Sequence, residues 1–564
     1  MDDKKFNYIV ITLLTLLAIA LYLNSLRNSF HFDDVPSIVD NPYIRDLRNL
    51  PLFLNGLEVR TNWFRALPTF SFAINYHFHG LNVFGYHWVN LILHIFSGIL
   101  VYFISRNLFA LGLRKSGPPD PSNKRIDLLS LLTAAIFISH PLQVNTVTYI
   151  VERNEGMASL FYLLSLFLFI NGSFSKGLSK AFYFLGVFIT FLLAILSKEI
   201  GFTLPIVLIA FDLLFVCKNR QMIKKRLLLY LGGSVLLVLY LLFFMRGGIF
   251  TLLFRTVHRW TPWENLLTQS NVIIQYFKLL LLPLPRWLSV DHDFQVSRSL
   301  LEYPTAISVS IILLLFILAA ILAKKNRLIS FSIFSFFIVL SPTSSIIPIW
   351  DVMVEYRLYL PLFFYAVILA SGLDYLNHLF VRHGSKRSGQ VIVLGVSILI
   401  LALYSITTIE RNRIFKDDLT LWTDAVKKSP NKMRVHHNLA KAYLAKGRID
   451  EGIREGGIAL RLSANLDTKQ NVKYVLNVLG GAYFLKGESD KALRILQRAI
   501  EIDPNYATSY YNVSCIYSKK EEKERALEYL KKAIALDQKY KEKARTDKDF
   551  DSLRHDQKFE ELLK

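Results

Sequence analysis

Apolar runs about as long as a bilayer is thick recur from residue 6 to residue 409, and no other feature constrains this chain as much. One such run could hide in a protein core. A long succession of them needs hydrocarbon as part of the solvent, and a chain crosses hydrocarbon only as helices or closed barrels, which satisfy their own backbone polar groups. The runs at 6–26, 86–104, 126–139, 156–170, 181–196, 202–216, 227–245, 304–323, 328–340, 356–373 and 391–409 predict about 11 spans, with 126–139 and 328–340 short for the purpose. Composition agrees, since 52% of the 564 residues are hydrophobic and mean hydropathy is +0.34. The run 266–284 is apolar too, but it fits the charge pattern of its neighbours only as a re-entrant or interfacial helix, a reading favoured by Pro283 and Pro285.

The net charge of +22 does not point to nucleic acid. In the apolar part the basic residues cluster in short loops, as Arg114, Lys115, Lys124 and Arg125, as Lys218, Arg220, Lys224, Lys225 and Arg226, and as Lys324, Lys325 and Arg327. This is the positive-inside pattern of cytoplasmic loops rather than a binding stripe. Lys4 and Lys5 precede a first run that is longer than a signal-peptide core and lacks a small-residue cleavage site, which predicts an uncleaved first span with a cytoplasmic N-terminus. An odd number of spans then places everything after residue 409 outside. Two cysteines, Cys217 and Cys515, offer neither a disulfide framework nor a zinc site.

Composition shifts near residue 410, so the expected domains are a multi-span part over 1–409, with a large first external loop at 27–85, and an extracytoplasmic part over 410–564. In the second part, Leu479, Gly480, Tyr483, Ala492, Leu496, Ala499 and Pro504 fall at tetratricopeptide-repeat spacing, and Val513, Ser514, Tyr517, Ala526, Leu530 and Ala533 repeat them about 34 residues on. A weaker unit with Leu439, Ala440, Tyr443, Gly452 and Ala459 precedes, followed by about six extra residues near 465–473. Trp422, Ala425 and Pro430 read as half of an incomplete first unit, and 550–563 as a polar-faced cap. The fold class is therefore all-α, a polytopic transmembrane helical domain followed by an α-solenoid. Such solenoids bind partners along a concave surface and bring no chemistry of their own.

Chemistry is sought instead where ionisable residues gather at the ends of spans. The loop at 27–85 opens with Phe30-His31-Phe32-Asp33-Asp34 and later carries Trp63, Arg65, His77 and His79, with His87 just beyond. Adjacent carboxylates in a partly dry site can supply a general base, although the same pair can also simply cap a loop helix. Glu152-Arg153-Asn154-Glu155, Lys198-Glu199, Asp291-His292-Asp293 and Glu355-Tyr356-Arg357 all fall at the predicted outer membrane face. Taken singly they read as interfacial anchors, whereas together they suit a site that binds an anionic head group and deprotonates an acceptor. Asp291-His292-Asp293 has the form of a metal-binding Asp-x-Asp, but no strand–helix alternation surrounds it, so it reads as a loop and no obligatory metal or other cofactor is expected.

The chain resembles a known family at Phe32-Asp33-Asp34, at Tyr86-His87-Trp88-Val89-Asn90-Leu91 through His94, and at His140-Pro141. Val151-Glu152-Arg153, Lys198-Glu199 and Tyr356-Arg357-Leu358-Tyr359-Leu360-Pro361 complete the likeness. The family is that of the tetratricopeptide-repeat transmembrane O-mannosyltransferases, within the polytopic lipid-phosphate-sugar-dependent (GT-C) glycosyltransferases. The resemblance implies inverting transfer of a sugar from a polyprenyl- or dolichyl-phosphate donor to a hydroxyl on a protein or glycan acceptor, recruited by the repeats at the extracytoplasmic or luminal face. It implies Asp33 as the base with Asp34 its neighbour, and Arg153, Lys198 and Arg357 as phosphate contacts, with Glu152, Glu199, His87 and Asp291 as further candidates. Arg65-Ala66-Leu67 departs from the family's usual Arg-Pro-Leu. A membrane transporter or an envelope assembly scaffold is the alternative, but a transporter places ionisable residues at mid-span and shows inverted repeats, and neither is visible here.

Overall fold

The computed structural model describes residues 3–49, 51–52, 65–112, 124–217, 219, 221–224, 226, 260–382, 386–464 and 469–564. The expected span at 227–245, Trp63, and the loop residues Arg114, Lys115, Lys218, Arg220 and Lys225 lie outside them, as do residues 465–468 of the expected insertion. The chain folds as two compact units, Met1–Val290 with Phe294–Asp417, and Asp291–Asp293 with Asp418–Lys564.

The first unit is built of apolar helices. Among the described residues eight are long and apolar enough to cross a bilayer, and a ninth candidate is the pair Lys124–Ser139 and Pro141–Val147, bent by 48° at a break. Pro141 explains that break, since it removes a backbone donor and restricts the residue before it. Arg327–Leu340 is apolar but only 14 residues long. Helix Val83–Gly112 packs on Lys124–Ser139 and on Arg153–Phe174, which in turn forms a hairpin with Gly177–Ile195. Glycine permits one of these approaches, because a Cβ on Gly98 would lie 2.6 Å from Ile138 Cδ1. Thr305–Lys325 keeps only 11% of its apolar window buried within the protein, as a helix facing lipid does.

The segment 27–85, expected as a large external loop, contains helix Ala66–His79 and short turns at Val35–Val39, Pro42–Arg45 and Leu47–Asn49. The last helix of the unit, Lys386–Ile414, runs past residue 409. Polar residues that end its apolar run are held inside: Arg411 pairs with Glu355 at 3.2 Å and with the Leu288 carbonyl, and Asn412 donates to the Leu21 carbonyl. Helix Pro262–Leu281, which starts in a Thr261/Glu264 capping box, is not among the apolar spans. Its buried Asn265, Gln269 and Asn271 donate instead to Ser345, Ile347, Val352, Ser297 and Thr305 of nearby segments.

The second unit is a stack of helix pairs, Met433–Ala445 with Ile449–Ala464, Lys469–Leu485 with Ser489–Ile502, and Ala507–Lys519 with Lys523–Leu536. Small residues set the spacing within a pair, because a Cβ on Gly480 would meet Leu496 Cγ at 2.5 Å. Each first helix ends in a left-handed residue, Gly447, Gly487 and Glu521, followed by an N–H that bonds back to the Tyr443, Tyr483 or Tyr517 carbonyl. That is the Schellman stop, and glycine adopts it without strain. Helix Asp418–Lys428 buries Trp422 and Ala425, and at the other end Phe550, Leu553, Phe559 and Leu563 close the apolar stack while Lys558, Glu560 and Glu561 face out.

Candidate active site

The site grows from a loop that the chain holds under strain. Phe32 is left-handed, with φ of 39°, a conformation costly for a bulky side chain, and it immediately precedes Asp33 and Asp34. Asp34 is fully buried, and its carboxylate accepts from the His31 N–H at 2.9 Å and from the Val151 N–H at 2.7 Å. It therefore ties the loop to a turn 117 residues away. Burial pushes Asp34 up to about 7, against the two N–H donors, while neighbouring Asp33 adds to the rise. His31 Nε2 pairs with the Phe415 carbonyl at 2.7 Å, and the Asp33 N–H donates to the Tyr149 hydroxyl at 3.0 Å, which leaves the Asp33 side chain exposed on an anchored backbone.

The turn Ile150–Glu152 leads into helix Arg153–Phe174 and delivers the second group of charges. Lys198, buried at the break before the turn Glu199–Thr203, lies 3.0 Å from Glu152 and 3.1 Å from Glu155, with its ammonium 4.4 Å from the centre of the Tyr356 ring. Burial opposes its charge, but the two glutamates outweigh burial and hold its pKa above the ordinary lysine range. Arg357 follows in the turn Glu355–Leu358, donating to the carbonyls of Val352 and Asp351. A cleft is lined by Glu155, Lys198, Glu199 and Arg357 together with Ile200, Val339, Pro342 and Thr343. Tyr149 joins the two groups: burial raises its phenol well above the ordinary value, and Asp33, Asp34 and Glu152 all push the same way, so it keeps its proton.

The residues anticipated from the sequence thus divide. Asp33, Asp34, Glu152, Lys198, Glu199 and Arg357 stand around Tyr149 and the cleft. Arg153 sits apart in the interior, fully buried, its guanidinium donating to Asn90 at 2.7 Å, Asn75 at 2.6 Å, Ser71 at 3.0 Å and the Tyr86 carbonyl at 3.0 Å, over the Phe72 ring. It bolts three helices together, and a phosphate could reach it only by displacing those partners. His87 is likewise buried, with Nε2 on the Asn28 carbonyl at 2.9 Å. Asp291 belongs to the second unit, where Lys432 and Arg434 bind both its oxygens; burial disfavours its charge, but Arg434 and Lys432 prevail and lower its pKa. Sequence reasoning set Glu155 in the charged segment Glu152-Arg153-Asn154-Glu155 without giving it a role of its own, and it passed over Tyr149, which carried no signal.

The pinned carboxylate pair and the buried, paired cations belong to the unit of apolar helices, and comparison with known proteins adds to that arrangement. Tetratricopeptide-repeat models match residues 431–505 and 507–540. The chain is 23% identical to Protein O-mannosyl-transferase Tmtc3 of Drosophila melanogaster over 82% of its length and 56% of that protein's. It is 25% identical to human Protein O-mannosyl-transferase TMTC4 over 78% of its length and 64% of that protein's. Human Protein O-mannosyl-transferase TMTC2 matches 39% of this chain at 30% identity, over 27% of its own length. This chain is related to the tetratricopeptide-repeat transmembrane O-mannosyltransferase family and spans a little over half the length of the curated relatives it matches. Among solved structures, MamA aligns with 26% of this chain and 84% of its own at 22% identity and a TM-score of 0.21. The Cut9-Hcn1 assembly of the APC/C aligns with 94% of this chain and 95% of its own at 13% identity and a TM-score of 0.23.

Proposed function

We propose that this protein is an inverting glycosyltransferase that moves a sugar, mannose by likeness to its relatives, from a polyprenyl- or dolichyl-phosphate to a hydroxyl on protein. The observation that carries this reading is the exposed Asp33 carboxylate on a strained backbone anchored by buried Asp34, with Tyr149 linking that loop to the cleft where Lys198 and Arg357 sit. Asp33 takes the proton of the acceptor hydroxyl as its oxygen attacks the anomeric carbon. The bond from that carbon to the phosphate oxygen breaks on the opposite side, inverting the centre, and its electron pair leaves on phosphate. Negative charge grows on the leaving group at that moment, and Lys198 and Arg357, already fixed, stabilise it. Asp34 positions the loop; Glu152 and Glu155 keep Lys198 charged; Glu199 borders the cleft. Arg153 and His87 serve the packing that holds these parts.

The basic loops support a cytoplasmic N-terminus and, with the expected odd number of spans, an extracytoplasmic solenoid over residues 410–564 that recruits protein acceptors. In the test, the full chain or its Asp33→Asn variant is expressed, and O-mannose on secreted and membrane proteins is quantified by glycopeptide analysis. Asn keeps the shape but lacks the basic lone pair, so transfer should fall by about 10²- to 10⁴-fold while the protein still inserts and folds. Transfer at the parental rate would sink the mechanism and favour a transporter or scaffold.

A further inference from the structure

We propose that the cleft bearing Glu155, Lys198, Glu199 and Arg357 is a sugar-recognition subsite in which Oε1 of Glu155 accepts a hydrogen bond from a hydroxyl of the donor's sugar ring. The proposal rests on the glycosyltransferase reading above and adds to it the residue that reads the sugar.

Glu155 is 2% exposed and lines the cleft, yet among the described residues only one of its oxygens is engaged. Oε2 lies 3.1 Å from Lys198 Nζ, whereas Oε1 is buried and has no hydrogen-bond partner among them. A buried carboxylate oxygen without a donor is costly, so a donor group brought to it is bound with a gain. The carboxylate cannot readily turn to satisfy Oε1 internally, because Lys198 is shared with Glu152 at 3.0 Å and holds Oε2 in place. The donor chemistry that fits is a neutral hydroxyl. An ionised phosphate has only acceptor oxygens, which Glu155 repels and Lys198 and Arg357 attract. The cleft, with space of about 10 Å³, admits one hydroxyl-sized group, so a ring hydroxyl reaching into it would meet Glu155 beside the cations Lys198 and Arg357.

The experiment uses the full chain in lipid nanodiscs and two probes, polyprenyl-phosphate mannose and the same polyprenyl phosphate without sugar. In Glu155→Gln the amide must turn its oxygen to Lys198, a donor only, and its NH₂ to the cleft, so a charge-assisted bond becomes a neutral one. Loss of the charge that repels phosphate and pairs with Lys198 shifts affinity for the bare lipid phosphate as well, so the readout is the ratio of the two: preference for the mannosyl lipid over the bare lipid phosphate should fall about 5- to 10-fold. An unchanged ratio overturns the inference. A second measurement needs no variant: among monodeoxy-mannosyl lipids, one should bind the parent chain about 10- to 100-fold more weakly than the complete donor. A series in which every deoxy donor binds like the parent donor also overturns it. Failure of the broader reading looks different: a parent chain that transfers no mannose and binds neither lipid removes the enzyme, whereas one that transfers mannose with an unchanged Glu155→Gln profile removes only this subsite.

Discussion

In the unit that carries the apolar spans, the largest fully buried side chains are Arg153 and Arg411, each hydrogen-bonded to segments dozens of residues away. In the repeat unit the space within and between helix pairs is filled by Ala492, Leu496, Ile500, Val513 and Ile516, while charges such as Arg525 and Glu522 pair at the surface three residues apart. The difference lies in what each interior depends on. A polar interior stands only while every donor and acceptor keeps its partner, and the partners come from distant parts of the chain. An apolar repeat interior depends on volume and on its immediate neighbours.

Arg153→Ala should break this contrast most severely. It leaves Asn75, Asn90, Ser71 and the Tyr86 carbonyl without their donor inside the protein, at a cost of about 3–5 kcal/mol, seen as a large drop in thermal stability in detergent. Affinity of the surviving folded protein for polyprenyl phosphate should be unchanged. The reverse result, intact stability with lost phosphate affinity, would return Arg153 to the donor site.

Leu496→Ala should cost about 3 kcal/mol, because it opens a cavity against Gly480. The effect should stay local, with faster amide exchange in 489–516 and no change in the melting of the spanning unit. A uniform loss of protection across both units would show that the repeats are not energetically self-contained.

A smaller effect sharpens the comparison at the loop. Asp34→Asn sets an amide NH₂ against one of two backbone N–H donors, a loss of about 2 kcal/mol. Its pH dependence has a definite sign. In the folded chain Asp34 holds its proton up to about 7, and in the unfolded chain only to 3.8, so its contribution is full below that lower value and is lost as pH rises through about 7. The parent's stability advantage over the variant should therefore shrink between about pH 4 and pH 7. An advantage that grows over that window would mean Asp34 is charged in the folded protein and held by its two N–H donors.

Much of this was legible from residue order, unevenly. Lys198, Glu152 and Arg357 stood out because charges beside apolar runs are conspicuous. The same conspicuousness drew attention to Arg153, whose guanidinium the fold engages with Asn75 and Asn90, and to Asp291, whose oxygens Lys432 and Arg434 hold. Tyr149 was invisible because one tyrosine in an apolar stretch has no pattern. The helix inside 27–85 was missed since its polar and aromatic residues break the apolar run without breaking helical geometry.

Periodicities belong to the chain itself. The apolar lengths of the spans, the repeat spacing through Gly480, Tyr483 and Ala492, and the break at Pro141 act over a few residues, so they can be read in order along it. Partnership is another matter. That Asp34 holds Val151, that Arg153 is committed to Asn75 and Asn90, and that one oxygen of Glu155 is left over in a cleft depend on contacts between segments far apart in the chain. A side chain's available atoms are set by whichever neighbours folding brings to it, and hydrogen bonds saturate, so an arginine as conspicuous in the sequence as Arg153 can serve as an internal bolt.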